Sequence, residues 1–124
     1  MMNDELNAAA DLRIRTKRFA LRIVRLYSAL GASGAKQVVG RQMLRRGTSV
    51  GAQYREACLA RSVAEFVSKM ECVTQELDET LYWLELLVEG GLVKKALLDP
   101  LVREANELTA IFVASSKTAK KGKS

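Results

Sequence analysis

At 124 residues, 48% of them hydrophobic, with one Pro and eight Gly, the chain is the size of one ordinary domain; it can build a packed core without disulfides, and an all-β fold is disfavoured. Histidine is absent, which removes the commonest general base and the commonest metal ligand, so no catalytic centre, metal or cofactor is expected. The net charge of +6 is unevenly spread, with twelve Lys and Arg against Glu56 alone in residues 13–61, seven acids against Lys69 in residues 62–89, and four lysines in the final eight residues; one part of the surface therefore carries a positive field.

The first predicted helix covers about residues 4–30. Its start, Met1–Ala10, contains Asp4 and Glu5 and lacks the apolar stretch of a signal peptide. No apolar run approaches the ~18 residues of a membrane span, so a cytoplasmic protein without membrane contact is expected. Leu12, Phe19 and Leu26 repeat every seven residues, with Ile23, Tyr27 and Leu30 on the same stripe. Gly31–Gly34 closes this helix.

A second helix is predicted over 35–60, with Val39, Met43, Gly47, Val50, Tyr54 and Ala57 on one face. Gly47-Thr48-Ser49-Val50-Gly51-Ala52 is poor in helix formers, each Gly costing ~1 kcal/mol against Ala. Either the helix breaks there, or the small residues admit a neighbouring backbone. The uninterrupted stripe favours close approach. Cys58 and Cys72 both fall inside helical patterns without a second ligand pair and read as reduced, buried hydrophobes.

The third helix, 62–89, opens on Ser62-Val63-Ala64-Glu65, a capping box in which the Ser hydroxyl accepts from the Glu65 amide and Glu65 reaches back to the cap. Three seven-residue rows follow: Val63, Met70, Leu77 and Leu84; Phe66, Val73 and Leu87; Val67, Leu81 and Val88. An outward row, Glu71, Asp78 and Glu85, keeps the same register. A sustained seven-residue period means left-handed, bundle-type packing. Tyr82 and Trp83 lie beside the stripe, suited to core packing or to a subunit contact. Gly90-Gly91 ends the helix.

The fourth helix is predicted over 99–116, with Asp99 as N-cap, Pro100 at its first position, and Leu101, Val102, Ala105, Leu108, Ile111 and Phe112 as its stripe. Residues 117–124 read as a flexible basic tail. Residues 1–116 thus form one domain, an all-α, antiparallel up-down four-helix bundle.

Arg15, Arg18, Arg22 and Arg25 recur at helical spacing away from the apolar stripe of the first helix. Arg41, Arg45 and Arg55, with Arg46 beside them, extend this face onto the second. Guanidinium forks match phosphate oxygens, and such a row can follow a nucleic-acid backbone without reading its bases. Lys120, Lys121 and Lys123 are auxiliary candidates. The same arginines could instead pair with acids of the third helix, within one chain or between subunits. Glu71, Asp78 and Glu85 face outward and the chain has no histidine, so they do not form a carboxylate metal site.

The run Arg45-Arg46-Gly47-Thr48-Ser49-Val50-Gly51-Ala52-Gln53-Tyr54-Arg55-Glu56-Ala57, followed by Ala60-Arg61-Ser62 and Glu65-Phe66, closely resembles the four helix bundle protein family, related to proteins encoded by intervening sequences within bacterial 23S rRNA genes. Arg15-Thr16-Lys17-Arg18-Phe19-Ala20, Glu76-Leu77-Asp78-Glu79-Thr80, Tyr82-Trp83-Leu84-Glu85-Leu86-Leu87, Glu104-Ala105-Asn106-Glu107-Leu108 and Lys117-Thr118-Ala119-Lys120-Lys121 extend the likeness across nearly the whole chain. Members usually have Asn where this chain has Gln53, and no role is carried over to that position. The resemblance implies a ring-like homopentamer without established activity. It also implies likeness to the accessory variability protein of diversity-generating retroelements, a basic pentamer that binds nucleic acid and a reverse transcriptase. The expected function is therefore a non-enzymatic, oligomeric RNA- or DNA-binding accessory factor. The alternative is a protein–protein scaffold whose basic stripe pairs with acids of a neighbouring subunit or partner protein.

Overall fold

The structure, a computed structural model, describes residues 2–31 and 34–122, with side chains from Asn7 onward. Four helices follow one another: α1 (Met2–Ala29), α2 (Gly34–Cys58), α3 (Val63–Glu89) and α4 (Lys95–Gly122). Residues 32 and 33 of the predicted break, and Lys123, lie outside the described residues.

Each helix packs on its sequence neighbour, α2 on α3 most extensively, while α1 meets α4 along only a short seam. No Cα of α2 comes within 8 Å of one in α4, so these two are diagonal. The core draws on all four: Phe19 and Ile23; Met43, Val50 and Tyr54; Met70, Val73, Leu77, Leu84 and Leu87; Leu98, Leu101, Leu108 and Phe112. The seven-residue rows of α3 point inward as their period requires, except at Val63. As the first helical residue it is exposed, with no preceding turn to seat it.

Helix α2 runs unbroken through Gly47–Ala52, and its small residues are where α1 comes close. A Cβ at Gly47 would lie 2.7 Å from Cγ1 of Ile23, one at Gly51 would lie 3.3 Å from Oγ1 of Thr16, and one at Gly40 would lie 3.0 Å from Cδ1 of Leu30. Thr16 is buried in that contact, and its hydroxyl donates to the Leu12 carbonyl at 2.7 Å.

The start of α3 is capped as expected in one half and differently in the other. The Ser62 hydroxyl accepts from the Glu65 amide at 3.0 Å, but the Glu65 carboxylate accepts from the amide of Arg61, one residue before the cap. Replacing Ser62 with Ala should cost ~1 kcal/mol, seen as a lower thermal midpoint, whereas Ser68→Ala, on an exposed mid-helix position, should change it little. At the other end Gly91 takes φ 71°. Its amide donates to Val88 and that of Leu92 to Leu87, the paired bonds of a Schellman turn that reverses the chain into α4.

Helix α4 is longer than predicted at both ends. Asp99 is not its cap: the helix begins at Lys95 because Leu98, 1% exposed, anchors an extra turn in the core. Pro100 is tolerated because the carbonyl it leaves unbonded belongs to Ala96, an exposed first-turn residue. Asp99 instead accepts from Lys95, one turn back. The expected flexible tail is helical through Gly122. Ser116 is buried and Ala119 half-buried against the end of the bundle, and Lys120 and Lys121 in the last turn suit the negative end of the helix dipole.

Candidate nucleic-acid interface

The predicted cations divide into three groups. Arg15 is turned toward α4, where its guanidinium donates to Glu104 at 2.6 Å and to Glu107 at 3.3 Å. The bond to Glu104 raises its pKa above the usual arginine value, burial opposes this, and the Glu104 and Glu107 charges add to the rise. Arg46 is likewise taken up by α3, with Nη1 donating to Glu76 at 3.3 Å and Nε 2.6 Å from Glu79. Glu76 is only 13% exposed, so Arg46 neutralises a carboxylate that is largely shielded from water. Both arginines staple the bundle and leave the predicted phosphate row.

The second group stays available. Arg18, Arg25, Arg41 and Arg45 are exposed and Arg22 is half-buried, and none has an ion-pair partner among the described residues. Arg13, Lys17 and Arg55, also exposed, complete this surface. Arg13 and Lys17 are not part of the predicted row because they sit on the opposite flank of α1. The available signal was the seven-residue spacing of Arg41, Thr48 and Arg55 on α2, which marks the flank that α1 faces. The acids with described side chains on these two helices are Asp11 and Glu56. Glu56 is drawn to Lys69 of α3 at 3.9 Å.

Lys120 and Lys121 form the third group, at the C-terminal end of α4. Lys120 lines a groove between α3 and α4 with Glu71 and Lys117, away from the furrow between α1 and α2.

The acids lie mostly elsewhere. Glu71, Asp78 and Glu85 are exposed along α3 as predicted. Trp83 packs against the core edge, while Tyr82 is 53% exposed, its ring edge-on to Trp83 at 5.0 Å. Both cysteines are free and half-buried. The Tyr54 hydroxyl donates to the Ala9 carbonyl at 3.4 Å, and burial pushes its pKa well up. Among the described residues no three Cys, Asp or Glu side chains converge on a metal position, and no helix is long and apolar enough to cross a membrane. Chemically, the α1–α2 surface is equipped to hold anions.

A family model for the 23S rRNA-intervening sequence protein matches residues 11–114. The chain is also similar to a solved structure from Bacteroides thetaiotaomicron, a protein of unknown function from the S23 ribosomal protein family. The two share 34% identity and a TM-score of 0.81, over 88% of this chain and 97% of that one. The comparison with curated proteins gives no match.

Proposed function

The chain belongs to the 23S rRNA-intervening sequence protein family, and from that membership we propose that it is a non-enzymatic, cytoplasmic accessory protein that binds an RNA backbone through α1 and α2. The observation that carries this is the division of the arginines. Where acids of the same chain are in reach, at Arg15 and Arg46, they are paired; Arg18, Arg22, Arg25, Arg41 and Arg45 have no such partners among the described residues. Cations held on rigid helices bind phosphates at small ordering cost, with affinity that falls steeply with salt and discriminates little among sequences. DNA, as a second polyphosphate, competes for the same face. A reverse transcriptase or other partner protein of an RNA–protein assembly fits the same role.

A second reading is favoured by the outer face of α1, where Ile14 is 50%, Leu21 42% and Val24 40% exposed beside Arg18 and Arg25. Such a mixed apolar and cationic stripe suits a neighbouring subunit whose α3 presents Tyr82 and acids, a head-to-tail contact that closes into a ring, with five subunits as the expected count. One variant separates the two. In Arg18→Glu with Arg22→Glu, the RNA reading expects roughly tenfold or greater loss of affinity for a structured RNA at ~50 mM salt, with unchanged mass by light scattering. A collapse of the assembly to monomer, at unaltered RNA affinity per chain, rejects RNA contact by these two arginines and supports the scaffold. No association of the native protein with RNA at that salt rejects the function itself.

A further inference from the structure

We propose that the furrow between α1 and α2 seats a phosphodiester of an RNA strand, gripped by Arg13, Lys17 and Arg55. This rests on the RNA-binding reading and deepens it, moving the centre of contact from the outer arginine row to the crease between two helices. The furrow is an open cavity of about 440 Å³, walled by those three cations and floored by Thr16, Ala20, Thr48, Gly51 and Ala52.

Three features make it a seat for an anion rather than a gap in packing. Its charge is of one sign: among the described residues three cations and no carboxylate line it, and the three have no ion-pair partner there. Its floor is low, because Gly51 lies against Thr16 and the α2 residues beside Gly51 on the floor, Ala52 and Thr48, are small. A phosphate can therefore descend between the cations rather than meet them at the rim. Finally, the walls are set in place from both sides. Arg13 and Lys17 are one turn apart on α1, about 6 Å along the axis, and Arg55 faces them from the antiparallel α2. Two forks and one ammonium converging from two rigid helices restrain a phosphate in three directions. Arg41, two seven-residue steps before Arg55 on the same flank of α2 and exposed, is the cation a strand leaving the furrow along the helices would meet next.

The test compares equal charge losses in two places. The furrow variant carries Arg13→Gln, Lys17→Gln and Arg55→Gln; the control carries Lys94→Gln, Arg103→Gln and Lys117→Gln. All six positions are exposed, so thermal midpoints should stay close to that of the native chain. Binding of a fluorescein-labelled RNA hairpin is followed by anisotropy from ~50 to ~200 mM potassium chloride. The furrow variant should bind roughly tenfold or more weakly, with the slope of log affinity against log salt reduced by about 2, while the control shifts affinity less than about threefold. A single carboxylate placed in the furrow, Ala52→Glu, should weaken binding more than Ala110→Glu on α4, and this comparison stands even if the triple variant folds poorly. Equal losses in furrow variant and control would overturn the seat while leaving RNA binding by the basic face intact. Failure of the native protein to bind the hairpin, or binding to phosphatidylserine vesicles in its place, would overturn both.

Discussion

Gly47→Leu should destabilise the bundle by about 3 kcal/mol, roughly 12 °C in thermal midpoint at ~4 °C per kcal/mol for a domain of this length. The cause is local. A Cβ at position 47 would lie 2.7 Å from Cγ1 and 3.0 Å from Cγ2 of Ile23. Both atoms are attached to the branched carbon of Ile23, so a change of rotamer replaces one contact with another. Ile23 is itself 0% exposed and cannot swing into solvent. Gly47→Ala isolates the competition between two effects. Alanine gains ~1 kcal/mol of helix propensity, and overpacking costs ~1–3 kcal/mol, so the net effect should still be a loss. Gly51→Ala, where the nearest atom is the Thr16 hydroxyl at 3.3 Å, should come out near neutral. Adding Ile23→Ala to Gly47→Leu should recover part of the lost stability, a non-additivity that marks direct contact. A thermal midpoint raised by Gly47→Ala would show that α1 does not need this glycine to come close.

Phe112→Ala should cost more, ~3–5 kcal/mol. The ring is 0% exposed, and its centroid lies 5.3 Å from that of Tyr54, tilted by 56°. Tyr54 belongs to α2 and Phe112 to α4, the diagonal pair whose backbones stay apart, so this aromatic contact closes the middle of the bundle. Truncation leaves a void that helices pinned to their neighbours cannot collapse to fill. Against a total stability of ~5–15 kcal/mol for a domain, the loss is a large share and should appear in a urea titration as an earlier midpoint. Phe112→Leu should lose less, ~1 kcal/mol, and Asn106→Ala, on the exposed side of the same helix, should remain within about 0.5 kcal/mol of the native chain.

Much of this architecture is legible in the chain. Met70, Leu77 and Leu84 carry a period that only a bundle seam satisfies, and Ser62 with Glu65 marks the start of α3 to the residue. The stripe through Gly47 is legible for a related reason: buried positions on a helix repeat whether or not a side chain occupies them. The ends of α4 are harder to read. Asp99-Pro100 is a strong local start signal, but the burial of Leu98 overrides it, and burial depends on helices far away in sequence. The polar composition of residues 117–122 conceals a helix for the same reason, since Ala119 and Ser116 are held by what they touch rather than by what they are. The division of the arginines was the least legible feature. Arg15 and Glu104 are 89 residues apart, and nothing in spacing along one helix shows which flank meets an acidic neighbour. Arg18 and Arg15 are equivalent to the eye, yet Arg15 is paired and Arg18 has no ion-pair partner among the described residues.

The glycines of α2 do more than admit α1. Gly40, Gly47 and Gly51 form notches that accept Leu30, Ile23 and Thr16 in turn, and unequal notch spacing works as a key does, fitting at one phase only. Sliding α1 by a single turn, about 5.4 Å, would set Leu30 against Leu44 in one direction or Ile23 against Met43 in the other, and carry Arg13 past Arg55. Small apolar contacts in the interior thus fix the alignment of charges on the exterior, and a substitution at a buried glycine would redraw the electrostatic surface without altering a single charged residue.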